Sequence, residues 1–92
     1  MALYLIRRPF PGASDAAIAA AGYRSEACLP FYPGLRWLQT YWDREHEETV
    51  CIYEARSIED IRRHAEQSHI PCGDIVEVEA LRTEPTPEVA LS

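Results

Sequence analysis

The sequence predicts an α+β fold in which strands and helices follow one another in the order β-α-β-β-α-β. Four short runs rich in β-branched and aromatic residues are separated by turn residues. Two longer segments, after the first and third runs, carry apolar side chains at helical spacing. The 92 residues suffice for one domain. We expect this domain to occupy residues 1–82 and to leave 83–92, which hold two prolines and little periodicity, as a flexible C-terminal tail.

The four strands are predicted over residues 2–8, 35–42, 49–55 and 75–80. Prolines and a glycine follow the first run, and the fourth run alternates apolar residues with glutamate. The second and third runs are joined by the polar segment 43–48, which predicts a hairpin. These two strands are therefore expected to be neighbours in one sheet.

Each helix has a recognisable start and end. Ser14 is a favourable N-cap for the first helix, which is predicted to end near Cys28, before two prolines. The run from Ser57 to Asp60 forms a capping box for the second helix, and Pro71 prevents its continuation. Small and apolar residues share one face of each helix: Ile18, Ala21, Ser25 and Cys28 in the first, and Ile58, Ile61, Ala65 and Ser68 in the second.

This element order is that of the ferredoxin-like fold, in which both helices cover one face of a four-stranded antiparallel sheet. The opposite face, here called the open face, then needs water, a ligand or another subunit to cover it. Because side chains alternate along a strand, we expect the valines of the fourth strand to face the helices. The residues expected on the open face are Trp37, Gln39, Tyr41, Cys51, Tyr53 and Glu77. A slip of one residue in the hairpin register would exchange the two faces.

The composition argues against several classes of partner. The formal net charge is −6, so repulsion opposes broad binding to nucleic acid or to an anionic membrane surface. No apolar run approaches the ~18 residues of a membrane span. Arg7 and Arg8 follow the first apolar run, whereas a secretory signal carries its basic residues in front. We therefore expect a cytoplasmic protein whose three cysteines, an odd number, are free thiols.

Four segments of the chain resemble a known family. They are W-L-Q-T-Y (37–41), V-C-I-Y-E-A (50–55), S-I-E-D-I-R-R-H-A-E (57–66) and I-P-C-G-D-I-V-E-V (70–78). In this order they are similar to the domain-of-unknown-function family 4242, small bacterial ferredoxin-like proteins of which some are called nickel-binding proteins. The resemblance implies a homodimer that binds a divalent transition metal such as nickel, and no established enzyme activity. The chain departs from the family pattern in its hairpin, where Arg44-Glu45-His46-Glu47 replaces a tight turn.

Nickel and similar ions accept imidazole, thiolate and carboxylate ligands. The candidate ligands are His64, His69, Cys51 and Glu54. Each also has an ordinary structural interpretation, because His64 lies at the flank of the apolar face and a strand cysteine is commonly a small buried residue. A reactive Cys51 thiolate would need a neighbouring cation, for which Arg7 is the candidate. His46 is interpreted as an exposed turn residue, although the glutamates beside it could attract an ion.

The open face suggests a second function. Its predicted aromatic and acidic residues could bind a small molecule: Trp37, Tyr41, Tyr53 and Glu77. Glu77 could then act as a general base if burial raised its pKa, or the same residues could form a dimer interface. The favoured interpretation is a non-enzymatic, homodimeric metal-binding protein. The alternative is a cofactor-free enzyme or small-molecule binder of the dimeric α/β-barrel kind, resembling a monooxygenase or an isomerase.

Overall fold

The computed structural model describes residues 1–82, so the predicted tail at 83–92 lies outside the described residues. The elements follow the predicted order. They are β1 (Ala2–Pro9), α1 (Asp15–Cys28), β2 (Arg36–Asp43), β3 (Glu48–Ala55), α2 (Ile58–Ser68) and β4 (Ile75–Val78), with one 3₁₀ turn, Leu29–Phe31, after α1. The strands form one antiparallel sheet in the order β2-β3-β1-β4. Within the described residues, no helix combines the length and apolar character needed to cross a membrane.

Both helix starts are as predicted. The Ser14 hydroxyl accepts a hydrogen bond from the amide of Ala17 at 3.1 Å, and the Ser57 hydroxyl accepts one from Asp60 at 3.2 Å. The last turn of α2 ends at His69, whose φ of 55° lies in the left-handed region typical of a C-cap. Since these caps satisfy amides and carbonyls that the helices cannot pair internally, the boundaries are well determined.

The fourth strand is shorter than predicted. It ends at Val78, which pairs with Leu3 near the beginning of β1. Beyond that pair only Ala2 remains in β1. The alternating sequence pattern that continues to residue 80 therefore runs past the end of the strand with which it would pair.

The predicted open face is wrong for four of its six residues. Tyr53 and Cys51 are 1% and 3% exposed and lie under the helices, opposite Tyr4 and Ile6 of β1. A β-bulge in β2 adds one unpaired residue, Leu38. It lies between Trp37, which pairs with Tyr53, and Gln39, which pairs with Ile52. The four residues that lie on the helix side are Trp37, Cys51, Tyr53 and Glu77, whereas Gln39 and Tyr41 remain on the open face.

The open face instead carries aliphatic side chains of the sheet itself. Those that share it are Leu3, Leu5, Val50, Ile52, Val76 and Val78, as the paired registers require. The valines of β4 therefore point away from the helices, contrary to the prediction. Strand β3 carries apolar side chains on both faces, so hydrophobicity alone could not predict which face lies under the helices.

Candidate functional site

His64 lies in the core rather than at the flank of α2. Its side chain is fully buried, and its ring contacts Tyr53 and Tyr32 with centroids 5.9 and 5.8 Å away. The imidazole Nε2 lies 2.9 Å from the carbonyl oxygen of Ser25, while Nδ1 has no partner. Burial, helped by the nearby charge of Arg8, holds the pKa of His64 below its ordinary value.

Cys51 is a small buried residue of strand β3, as its structural interpretation predicts. The Thr40 hydroxyl donates a hydrogen bond to Sγ at 3.2 Å, and the thiol is 3% exposed. Arg7, the cation considered for this thiol, lies on the other face of β1 and binds Glu48 there. The cation on the side of Cys51 is Arg8, which the sequence did not single out.

The four predicted metal ligands do not meet. Glu54 lies on the open face, where it pairs with Arg36 at 3.4 Å, and Cys51 lies on the opposite face of the same strand. His69 is exposed at the end of α2. Within residues 1–82, these side chains take part in no group of three or more ligand atoms close enough to hold one ion. A metal-binding role for them stays a prediction.

The hairpin does bring three ligand types together. Asp43 ends β2, Glu48 begins β3 opposite it, and His46 lies in the turn between them. One ligand atom from each of the three lies within 4.8 Å of the others. We call Asp43, His46 and Glu48 the hairpin group. Among the described residues it is the one such group of histidine, cysteine and carboxylate side chains.

Local hydrogen bonds shape the hairpin group. The backbone amide of His46 donates to Asp43 Oδ1 at 3.2 Å, and His46 Nδ1 lies 2.8 Å from Asp43 Oδ2. The amide hydrogen bond, followed by the imidazole contact, lowers the pKa of Asp43. Glu47 adopts a φ of 50°, and its carbonyl accepts a hydrogen bond from Phe10, which holds the turn against the segment after β1.

Sequence reasoning undervalued this group because an acidic turn is commonly solvated. The spacing D-x2-H-x-E was its signal, since a hairpin places the first and last of these residues opposite each other. Glu48 is not entirely free, because one carboxylate oxygen accepts a hydrogen bond from Arg7 at 2.9 Å.

The predicted small-molecule site is divided between the two faces. The ring of Trp37 stacks on Tyr53 at 6.1 Å on the helix side, whereas Tyr41 lies on the open face and donates to Gln39. Glu77 is exposed on β4, beside Tyr4. These four residues therefore cannot line one cavity on the open face, and the binding role proposed for them there loses its geometric basis.

Sequence reasoning also missed a buried polar cluster around Tyr53. Its hydroxyl lies 3.0 Å from Ser25 Oγ, and the guanidinium carbon of Arg8 lies 5.5 Å from the ring centroid. Arg8 is 2% exposed and donates from Nη1 to the carbonyl of Pro71 at 2.8 Å. Burial raises the pKa of Tyr53. Alternation along the strand places the two adjacent arginines on opposite faces, but the sequence does not show which of them points inward.

The fold and the hairpin group define a small ferredoxin-like α+β protein with a carboxylate–imidazole cluster at one end of its sheet. The chain belongs to the family of nickel responsive proteins described as SCO4226-like, which matches residues 4–78. The crystal structure of SCO4226 from Streptomyces coelicolor A3(2) is similar, with a TM-score of 0.73 and 18% sequence identity. That similarity covers 87% of this chain and 99% of the other, and it shows the fold. No curated protein sequence matches the chain.

The family resemblance drawn from the sequence is thus confirmed as a nickel-related, ferredoxin-like family. The matching description is the SCO4226-like one and does not carry the family-4242 name.

Proposed function

We propose that this protein binds a divalent first-row transition ion, nickel(II) foremost, through the hairpin group. The observation that carries the proposal is the convergence of two carboxylates and one imidazole within 4.8 Å. Nickel accepts such mixed nitrogen and oxygen ligands, and an open site of three protein ligands leaves positions for water. The description of the family as nickel responsive supports this choice of metal.

The charge state of Asp43 in the hairpin group favours the binding of a metal ion. Asp43 has a lowered pKa, so its carboxylate is available as an anion. The imidazole Nδ1 of His46 lies 2.8 Å from that carboxylate, and a metal held by both groups would take the place of this hydrogen bond. Arg7 opposes the metal, because its guanidinium already neutralises Glu48. The site is therefore expected to be of moderate affinity.

We propose further that the open face is the interface of a homodimer. Both helices lie on the other side of the sheet, and aliphatic residues of three adjacent strands cover this one. Val76, Tyr41 and Leu38 on it are 53%, 58% and 40% exposed in the single chain. A second copy of this chain offers a matching flat apolar surface through two-fold symmetry. Glu48 shares this face, so the hairpin group would lie at the rim of the interface.

A cytoplasmic location completes the proposal. The three cysteines are free thiols in the described residues, and Cys72 is exposed. Exposed thiols persist unpaired in a reducing compartment. A nickel buffer or sensor in the cytoplasm is the role that these features support together.

The test is a calorimetric titration of the protein, made without a histidine tag, with nickel, cobalt and zinc chlorides. We expect saturable heat with nickel, which is lost in His46→Asn. The matched control is His69→Asn, since it removes another exposed imidazole and asparagine tolerates the left-handed backbone there. Equal nickel binding by wild type and His46→Asn, or no saturable heat in wild type, would refute the proposed site.

A further inference from the structure

A cavity of about 250 Å³ lies between α1 and the helix side of the sheet. Gly22 of α1 and Trp37 of β2 both line it, and a Cβ at residue 22 would lie 3.7 Å from the Trp37 ring. Further apolar side chains along its walls are Phe10, Ile18 and Ile70. None of the hairpin group lines this space, so it is separate from the proposed metal site.

The polar side chains of β2 and β3 beside the cavity are hydrogen-bonded to one another. The Trp37 indole donates to Thr40 Oγ1 at 2.6 Å, and the Thr40 hydroxyl donates to Cys51 Sγ at 3.2 Å. The Cys51 thiol donates in turn to Thr49 Oγ1 at 3.7 Å. Because these groups satisfy each other, the surface that they leave to the cavity is almost entirely apolar.

Arg8 borders the cavity but offers it no free donor at either terminal nitrogen. Nη1 donates to the carbonyl of Pro71 at 2.8 Å, and Nη2 is buried, with no surface that a ligand could touch. The Ser25 hydroxyl is engaged as well, 3.0 Å from the hydroxyl of Tyr53. A charged molecule would therefore lose its hydration in this cavity without gaining hydrogen bonds, which is unfavourable.

We propose that the cavity binds a small neutral aromatic molecule, whose ring lies between Gly22 and Trp37. An apolar cavity of about 150 Å³ stays dry and holds a benzene molecule. The larger volume here has room for a ring that carries a short alkyl substituent. Binding is driven by the removal of apolar surface from water, and the rings of Trp37 and Phe10 provide aromatic contacts.

This proposal concerns the opposite side of the sheet from the small-molecule site expected from the sequence. There the aromatic residues were expected to bind a ligand on the open face, whereas the cavity lies under α1 and includes Trp37 and Cys51. The proposal is also independent of nickel. It is tested in metal-free buffer, so its failure and that of the metal site are separate results.

The first measurement compares toluene with benzoate, which has nearly the same shape but carries a charge. We expect toluene to bind saturably in a heteronuclear NMR titration, with shifts at the Gly22 amide and the Trp37 indole. The indole of Trp42, which does not line the cavity, is the internal control and should shift less. Benzoate should bind at least about tenfold more weakly, because its carboxylate finds no partner. No saturable shift with toluene, or equal binding of the two compounds, would overturn the proposal.

Two variants that reduce the cavity from α1 locate the binding. Gly22→Leu adds a side chain beside the Trp37 ring and should lower toluene affinity at least about tenfold. Ala19→Leu narrows the cavity from an exposed lining position, so the variant should fold and also bind toluene more weakly. Ala20→Leu is the matched control, since residue 20 is exposed on the same helix but does not line the cavity.

The control variant should keep the toluene affinity of the wild type. Wild-type affinity in Gly22→Leu, or in Ala19→Leu if Gly22→Leu fails to fold, would place the ligand elsewhere and contradict the proposal.

Discussion

The imidazole Nε2 of His64 on α2 lies 2.9 Å from the main-chain carbonyl oxygen of Ser25 on α1, inside the core. Because a carbonyl only accepts, Nε2 carries the proton of the neutral ring. A second proton would have to go on Nδ1, which is buried and has no partner. The positive charge of Arg8 nearby further opposes that second proton. The contact between the helices therefore depends on an uncharged His64.

This contact predicts a pH-dependent stability. The pKa of His64 is lowered in the folded protein, so below about pH 6.5 the unfolded chain binds a proton that the folded chain does not. The free energy of unfolding should fall with decreasing pH, by at most about 1.4 kcal/mol per pH unit from this residue. Urea unfolding between about pH 5 and 7.5 measures the slope. His64→Gln should have a smaller slope, and an unchanged slope would contradict the assignment.

Gly73 is expected to tolerate no side chain. Its amide donates to the carbonyl of Arg7 at 2.9 Å, and an added Cβ would lie 2.6 Å from that oxygen. Gly73→Ala should therefore lower the free energy of unfolding by about 1–3 kcal/mol. Gly22→Ala is the control with the opposite sign, because its Cβ meets only an ordinary contact and alanine favours the helix. If urea unfolding shows that Gly73→Ala is as stable as wild type, the close contact between residue 73 and the Arg7 carbonyl is contradicted.

The proposed dimer predicts the effect of a charge on the open face. Ile52 lies on β3 between Leu5 and Gln39 of its neighbouring strands. Ile52→Arg would bury two unpaired cations in a symmetric interface and should produce a monomer in sedimentation experiments. Tyr23→Arg adds the same charge at a residue that is 77% exposed on α1, and it should stay dimeric. A monomeric wild type would contradict the proposed interface.

Arg7 should weaken nickel binding at the hairpin. Its Nη1 lies 2.9 Å from Glu48 Oε1, so the ion competes with a cation already in place. Arg7→Met should raise nickel affinity by up to about fivefold in a calorimetric titration. Arg36→Met removes an open-face arginine that pairs with Glu54 instead, and it should change the affinity less. An unchanged affinity in Arg7→Met would argue that Glu48 is not a ligand.

The sequence predicted the element order because local signals mark each boundary. Ser14 and Ser57 cap the helices as expected, and the polar segment after Trp42 forms the hairpin. The faces of the strands could not be predicted in the same way. Aliphatic residues occupy both sides of β3, and the bulge at Leu38 leaves no pattern in the sequence.

The candidate sites were hard to predict because each depends on residues that ordinarily have another role. His64 is polar, yet it belongs to the buried face of α2 with Ile61 and Ser68. Arg7 was the cation considered for Cys51, and only the sheet pairing shows that Arg8 is the arginine on that side. The hairpin group combines residues that are common in exposed turns, so its convergence required the geometry of the turn.

The position of nickel in a crystal would show whether the hairpin group holds the ion. Crystals of the tag-free protein grown with nickel chloride would be measured with X-rays just above the nickel absorption edge. We expect an anomalous peak in contact with Asp43, His46 and Glu48. A peak at His64 or Cys51 instead, or no peak at the hairpin in a crystal where nickel is bound elsewhere, would contradict it.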